Sequence, residues 1–202
     1  MGISISDLFA ASALKAAGPV RFYGERPPSG ESGVYVVTTT PDPTVTTSAG
    51  PFPARREAFR NLLETRPELT CFGTRPSIDD LVAAVARWWI RDERVVYIGA
   101  TSAKAGIAGR VGDFYRTPLG ARRPHAGGMW VHLIDAPLWV FWAGMRAADR
   151  AEADMVAAFR DSALGRPDDL ADPHFVMPFA NLEWPKGIRK PHGVEHQREP
   201  RS

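Results

Sequence analysis

The sequence predicts a mixed α/β (α+β) fold, a small central and mostly antiparallel sheet flanked by helices. Three observations predict it. Short runs rich in β-branched and aromatic residues, at 34–37, 94–99, 129–134 and 138–142, read as strands. Longer stretches between them place apolar residues at helical spacing. Finally, 202 residues with 44% hydrophobic and 24% charged side chains suit one domain with one substantial core, and exclude collagen, coiled coil or wholesale disorder.

In chain order, residues 4–17 space Ile5, Leu8 and Phe9 as a short helix ended by Gly18-Pro19. A Pro/Gly/Ser-rich turn at 27–33 leads into the 34–37 strand, which runs out into an irregular, proline-rich connection to residue 53. Residues 54–66 place Phe59, Leu62 and Leu63 on one helix face, and Ser77 with Asp80 three residues on reads as the capped start of a helix through Trp89. The 94–99 strand ends at Gly99. A helix over 104–116 carries Gly106, Gly109 and Gly112 at spacing three, which lowers its stability and points to close approach along that side. The strands 129–134 and 138–142 read as a hairpin through Asp135-Ala136-Pro137, and the last helix covers 145–162.

One cysteine, Cys71, rules out an internal disulfide and a cysteine-rich zinc cage. The longest apolar run, 138–145, is too short to span a bilayer, so a non-membrane, cytoplasmic protein is expected. The net charge of +2 is local: residues 186–202 hold five Lys/Arg, leaving 20 basic and 21 acidic residues elsewhere. This basic tail reads as a polyanion contact or as a solvated terminus. Signatures of P-loop nucleotide hydrolysis, zincin proteolysis and serine hydrolysis are missing.

Several polar side chains fall where chemistry could sit. Glu152 shares a helix face with Met145, Ala148, Met155, Val156 and Phe159, which sets a carboxylate toward the buried side. Helix geometry alone leaves a buried ion pair with an arginine and a metal or catalytic role equally open. Arg110 lies at the edge of the apolar stripe Ile107, Val111, Phe114, where an ion-pairing role is the ordinary one. Tyr35 with Val37, and Tyr97 with Val95, share strand faces, so the two phenols converge if the strands are neighbours.

Taken together, Gly33-Val34-Tyr35, Tyr97-Ile98-Gly99, Arg110 on the following helix, Glu152 on a later one and Asn181 near the end resemble the GIY-YIG nuclease superfamily, over residues 33–181. His125-Ala126-Gly127-Gly128 is similar to a loop motif of some bacterial members. The resemblance implies a single nuclease domain over 1–185 followed by the tail 186–202. Its two tripeptides usually lie close together on a hairpin, so residues 38–93 are expected to be a helical insertion between the first two strands. The implied activity is metal-dependent endonucleolytic hydrolysis of DNA phosphodiester bonds. Glu152 would hold Mg²⁺ or another divalent cation, and Arg110 would face the phosphate. Tyr35 would act as base or water-positioner, Tyr97 would hydrogen-bond in the same pocket, and Asn181 would orient a phosphate or brace the site. Many members carry histidine or tyrosine four residues after the arginine; here Phe114 stands there, and Tyr115 or His125 is the candidate substitute. DNA is the expected partner, with homo-oligomerisation open. The alternatives are a catalytically inactive DNA-binding or protein-interaction module of the same fold, and a hydrolase of a small phosphate ester.

Overall fold

The computed structural model describes residues 1–28, 30–120, 128–165, 170–184 and 186–196. Its strands are β1 (Ala17–Arg21), β2 (Gly33–Thr38), β3 (Leu69–Cys71), β4 (Val95–Thr101), β5 (Trp139–Gly144) and β6 (Val194–His196). Its helices are α1 (Ile5–Ala10), α2 (Arg56–Thr65), α3 (Ile78–Ala86), α4 (Gly106–Arg116), α5 (Gly128–His132) and α6 (Ala148–Leu164). Four of the strands form an antiparallel sheet in the order β1-β5-β2-β4, and β3 pairs with β6 in a second, two-stranded one. The architecture is thus mixed α/β, a small antiparallel sheet with helices on both faces. Among the described residues no helix is long and apolar enough to cross a membrane.

Strand alternation sorts the core into two clusters. Tyr35, Val37, Tyr97 and Val140 face α4 and its stripe Ile107, Val111, Phe114, together with residues of α2, α3 and α5. Val34, Val36, Ile98, Phe141 and Ala143 face α1 and the Met155, Val156, Phe159 side of α6. Each such side chain contributes roughly 1.5–3 kcal/mol when fully removed from water, which gives β2, buried along its whole length, a fixed register between β4 and β5. The α3 start is the expected capping box: Ser77 Oγ accepts from the Asp80 N–H and the Asp80 carboxylate accepts from the Ser77 N–H. The glycines of α4 are explained by close approach, since Gly106 packs on the Glu31 backbone and Gly112 on the Arg26 side chain.

The structure departs from expectation in five places. Residues 129–134 begin as helix α5, not a strand, so there is no hairpin at 135–137, and β5 pairs with β2 and β1 instead. The first helix stops at Ala10, and the Gly18-Pro19 segment read as its end belongs to β1. Proline is tolerated there because β1 is an edge strand. The 38–93 stretch carries α2 and α3 between β2 and β4, and also β3. Val95 does not share the Tyr97 face, because a register shift opposite Val37 and Thr38 turns it into the other cluster. Residues 186–196 are no solvated tail, for β6 pairs with β3 and Lys190 is buried.

Candidate active site

The β2–β4 ladder sets Tyr35 opposite Gly99 and Val37 opposite Tyr97, so both phenols lie on one face of neighbouring strands, with ring centroids 5.8 Å apart. Both motif glycines are demanded by close approach. A Cβ on Gly33 would lie 2.1 Å from the Ala143 carbonyl oxygen, and one on Gly99 would meet both tyrosine rings. Tyr35 is fully enclosed, whereas Tyr97 keeps 8% of its surface. The Tyr35 hydroxyl leans on the Tyr97 hydroxyl electrostatically but completes no hydrogen bond. Burial pushes the Tyr35 phenol well above its ordinary range, helped by the neighbouring Tyr97 and Glu152 and opposed by Arg110. Burial likewise pushes Tyr97 up to about 12, with Glu152 adding to it and Arg110 opposing.

Glu152 and Arg110 thus both act electrostatically on the Tyr97 phenol from opposite sides of the sheet, α6 covering one face and α4 the other. β4 is an edge strand, and beyond its C-terminal end residues of α4 and Asp149 of α6 border one space. There a cavity of about 350 Å³ is lined by Thr101, Gly109, Arg110, Arg116 and Asp149, among others. Arg110 is part-exposed with one long ion pair, 3.9 Å to Asp113, so its guanidinium fork is largely unengaged. Glu152 is half-buried, and among the described residues it forms no ion pair and no hydrogen bond. Burial, with Asp149 one turn earlier adding to it and Arg110 opposing both, raises its carboxyl to about 7. The reading of Glu152 as one half of a core Glu–Arg pair is thereby answered.

A half-buried carboxylate with no ion pair among the described residues, repelled by a second carboxylate one turn away, suits a divalent cation. Glu152 would hold it, with Asp149 adding charge. Asp149 was not among the expected residues, although its offset of three from Glu152 on one helix was a signal. Among the described residues no group of three or more His, Cys, Asp or Glu side chains gathers as a metal cluster.

The remaining expected residues fall differently. Asn181 is buried and committed to backbone: its Oδ1 accepts from the Ile98 N–H at 2.9 Å and its Nδ2 donates to the Ile98 carbonyl at 2.8 Å. With the Ala180 N–H on the Val96 carbonyl, it closes the free edge of β4 on either side of Tyr97. Phe114 packs its ring against Tyr97 and Tyr35, at 5.3 and 6.2 Å between centroids. Tyr115 does not substitute for it in the site, since its hydroxyl is turned away to donate to the Glu25 carbonyl. His125 lies outside the described residues.

No protein-family model matches this chain, and no curated protein or solved structure does so either.

Proposed function

We propose that the chain is a GIY-YIG-type endonuclease, a metal-dependent hydrolase of DNA phosphodiester bonds. One observation carries the reading. Two phenols with rings 5.8 Å apart, a guanidinium and a carboxylate without an ion pair among the described residues, drawn from two strands and two helices, influence one another electrostatically, and the guanidinium lines an open cavity at the end of β4.

Each side chain has a role its surroundings permit. Arg110, on the cavity wall and held only by its long ion pair to Asp113 among the described residues, neutralises charge on the phosphate as it becomes five-coordinate. Tyr97, the less enclosed phenol, orients the attacking water by its hydroxyl, and the enclosed Tyr35 ring packs beside it. Neither phenol is poised as a base by itself, because burial favours the neutral form of both. Glu152 holds the cation, and a bound Mg²⁺ would supply the charge that favours loss of a proton from water and departure of the leaving oxygen. Asn181 keeps β4, and so Tyr97, in place.

The test is incubation of purified protein with supercoiled plasmid and Mg²⁺, beside an EDTA control and the Arg110→Ala variant. Mg²⁺-dependent nicking that drops by several orders of magnitude in the variant supports the reading. Intact plasmid with retained, salt-sensitive DNA binding selects the inactive-module alternative, which the complete enclosure of Tyr35 favours.

A further inference from the structure

A second cavity, of about 550 Å³, lies between the turn after β1, Arg55 and the loop that follows α5. Its wall includes Arg21, Tyr23 and Arg55, over an apolar floor of Val131, Pro137 and Leu138. Nothing in the phosphodiester chemistry above uses these residues.

Tyr23 is held there against its own backbone preference. It is 45% exposed and adopts φ 70°, a left-handed conformation that a bulky residue rarely takes. The turn is closed by the Gly24 and Glu25 N–H groups, both donating to the Arg21 carbonyl. Its ring is backed edge-on by Phe22 at 4.6 Å and leans on Tyr115 at 5.1 Å. Its hydroxyl bonds the Nδ1 of His132, whose Nε2 lies 3.1 Å from the Phe114 carbonyl. A carbonyl only accepts, so the imidazole proton sits on Nε2, and Nδ1 accepts from the tyrosine. The ring is thus fixed from behind by aromatic contacts and at its tip by a hydrogen bond, which leaves a rigid, part-exposed aromatic surface.

The charge is arranged to match an anion. Arg21 is exposed and has no ion pair among the described residues. Arg55 has one weak pair, 4.0 Å from the solvent-facing Asp135, which is the acidic residue of the lining. Two guanidiniums against one exposed carboxylate give the cavity a net positive wall. Its volume falls in the range of about 300–1,000 Å³ that small ligands occupy. An aromatic ring and two guanidiniums lining one cavity suit a flat ring joined to a phosphate.

We infer that this cavity is a subsite for one nucleotide of a nucleic-acid strand, with the base on Tyr23 and a phosphate held by Arg21 and Arg55. The inference rests on the phosphodiester reading and adds a substrate contact to it. Phe22 touches Phe114, and Phe114 touches Tyr97, so one layer of aromatic rings separates the subsite from the phenol pair.

The experiment is fluorescence anisotropy of a short labelled oligothymidylate with the full chain in EDTA, at several salt concentrations, with thymidine monophosphate as competitor. The variants are the Arg21→Gln, Arg55→Gln double substitution and Tyr23→Asn, since asparagine tolerates the left-handed backbone. Circular dichroism checks that each is folded, and Arg21→Gln alone, at an exposed position, serves if another is not. The double variant should bind at least about tenfold more weakly, with a salt dependence shallower by about one to two in log–log slope. Tyr23→Asn should lose about tenfold with the slope unchanged. Folded variants that bind like the parent, or a parent that does not bind the oligonucleotide, overturn the subsite. Binding lost in the variants by a parent that never nicks plasmid overturns the nuclease reading and leaves the subsite standing. A parent that nicks while the variants bind normally does the reverse.

Discussion

Gly99 stands directly opposite Tyr35 in the β2–β4 ladder, and the side chain it lacks is what makes room for the Tyr35 hydroxyl. A Cβ at 99 would lie 2.8 Å from that oxygen and 2.6 Å from the Tyr97 ring. Both rings are held by β2, β4 and Phe114, so neither can step aside without moving the other. Gly99→Ala should therefore destabilise the fold by about 1–3 kcal/mol, the usual cost of overpacking. It should also lower plasmid nicking at least tenfold, roughly, because displacing a positioned group by an ångström costs that much or more. Urea unfolding and the nicking assay read the two effects. A folded variant with parental stability would mean that the rings are not confined.

Tyr35→Phe separates the hydroxyl from the ring. The ring fills the core, while the hydroxyl is buried with no hydrogen-bond partner. An unsatisfied buried polar group costs about 1–3 kcal/mol, so its removal should leave stability equal or higher by about 1 kcal/mol. Nicking should change little, since the Tyr35 ring that packs beside Tyr97 stays in place. A variant that is clearly less stable would show that the Tyr35 hydroxyl is bonded in solution.

These elements differ in how much of them was legible in the sequence. The helices α2, α3, α4 and α6 follow from periodicity and caps, because each has one face to bury, and the strands β2, β4 and β5 follow from short β-branched and aromatic runs bounded by turn residues. The run Met129-Trp130-Val131-His132-Leu133-Ile134 has no such contrast. Nearly all of it is buried, so a short helix and a strand leave the same apolar pattern. β3 and β6 are three residues each and pair across more than a hundred positions, which no local signal reports. In the site, the tyrosines were legible from their tripeptides and Glu152 from its misplaced charge. The Asn181 contacts were not, because a side-chain amide pairing with strand backbone leaves no pattern in spacing.

Glu152→Gln should stabilise the metal-free protein. Burial and Asp149 raise the Glu152 carboxyl to about 7 in the folded chain, against an ordinary value of about 4.3 in the unfolded one. Between those values the folded state holds the proton more tightly, so stability falls as pH rises, and the loss is complete above about 7. At pH near 8 the neutral amide escapes this penalty, worth about 1 kcal/mol after solvent screening of a part-exposed group, or a rise of about 2–4 °C in Tm. Added Mg²⁺ should raise the Tm of the parent and leave the variant unmoved. Equal Mg²⁺ shifts in both would remove Glu152 as the cation's ligand, whatever the nicking assay shows.

Lys190 ties the last segment of the chain to the same strand. Its ammonium is buried, donates to the Pro178 and Phe179 carbonyls at 3.1 and 2.9 Å, and lies over the Trp88 and Trp130 rings. Those two carbonyls immediately precede Ala180 and Asn181, which close the edge of β4. Burial lowers the amine to about 7. An unfolded chain keeps its lysine proton to about pH 10.4, so between these values unfolding takes up a proton and stability rises with pH. Lys190→Met should flatten that rise. The methionine leaves two buried carbonyls without a donor, so near pH 9 the variant should be less stable than the parent by about 1–3 kcal/mol. Toward pH 7 the gap should narrow, because the parent alone bears the cost of a charged buried amine. Urea midpoints measured across that range decide it: parallel curves for the two proteins would mean that Lys190 titrates as a solvated lysine does, and that its contacts with Pro178 and Phe179 do not hold the β4 edge.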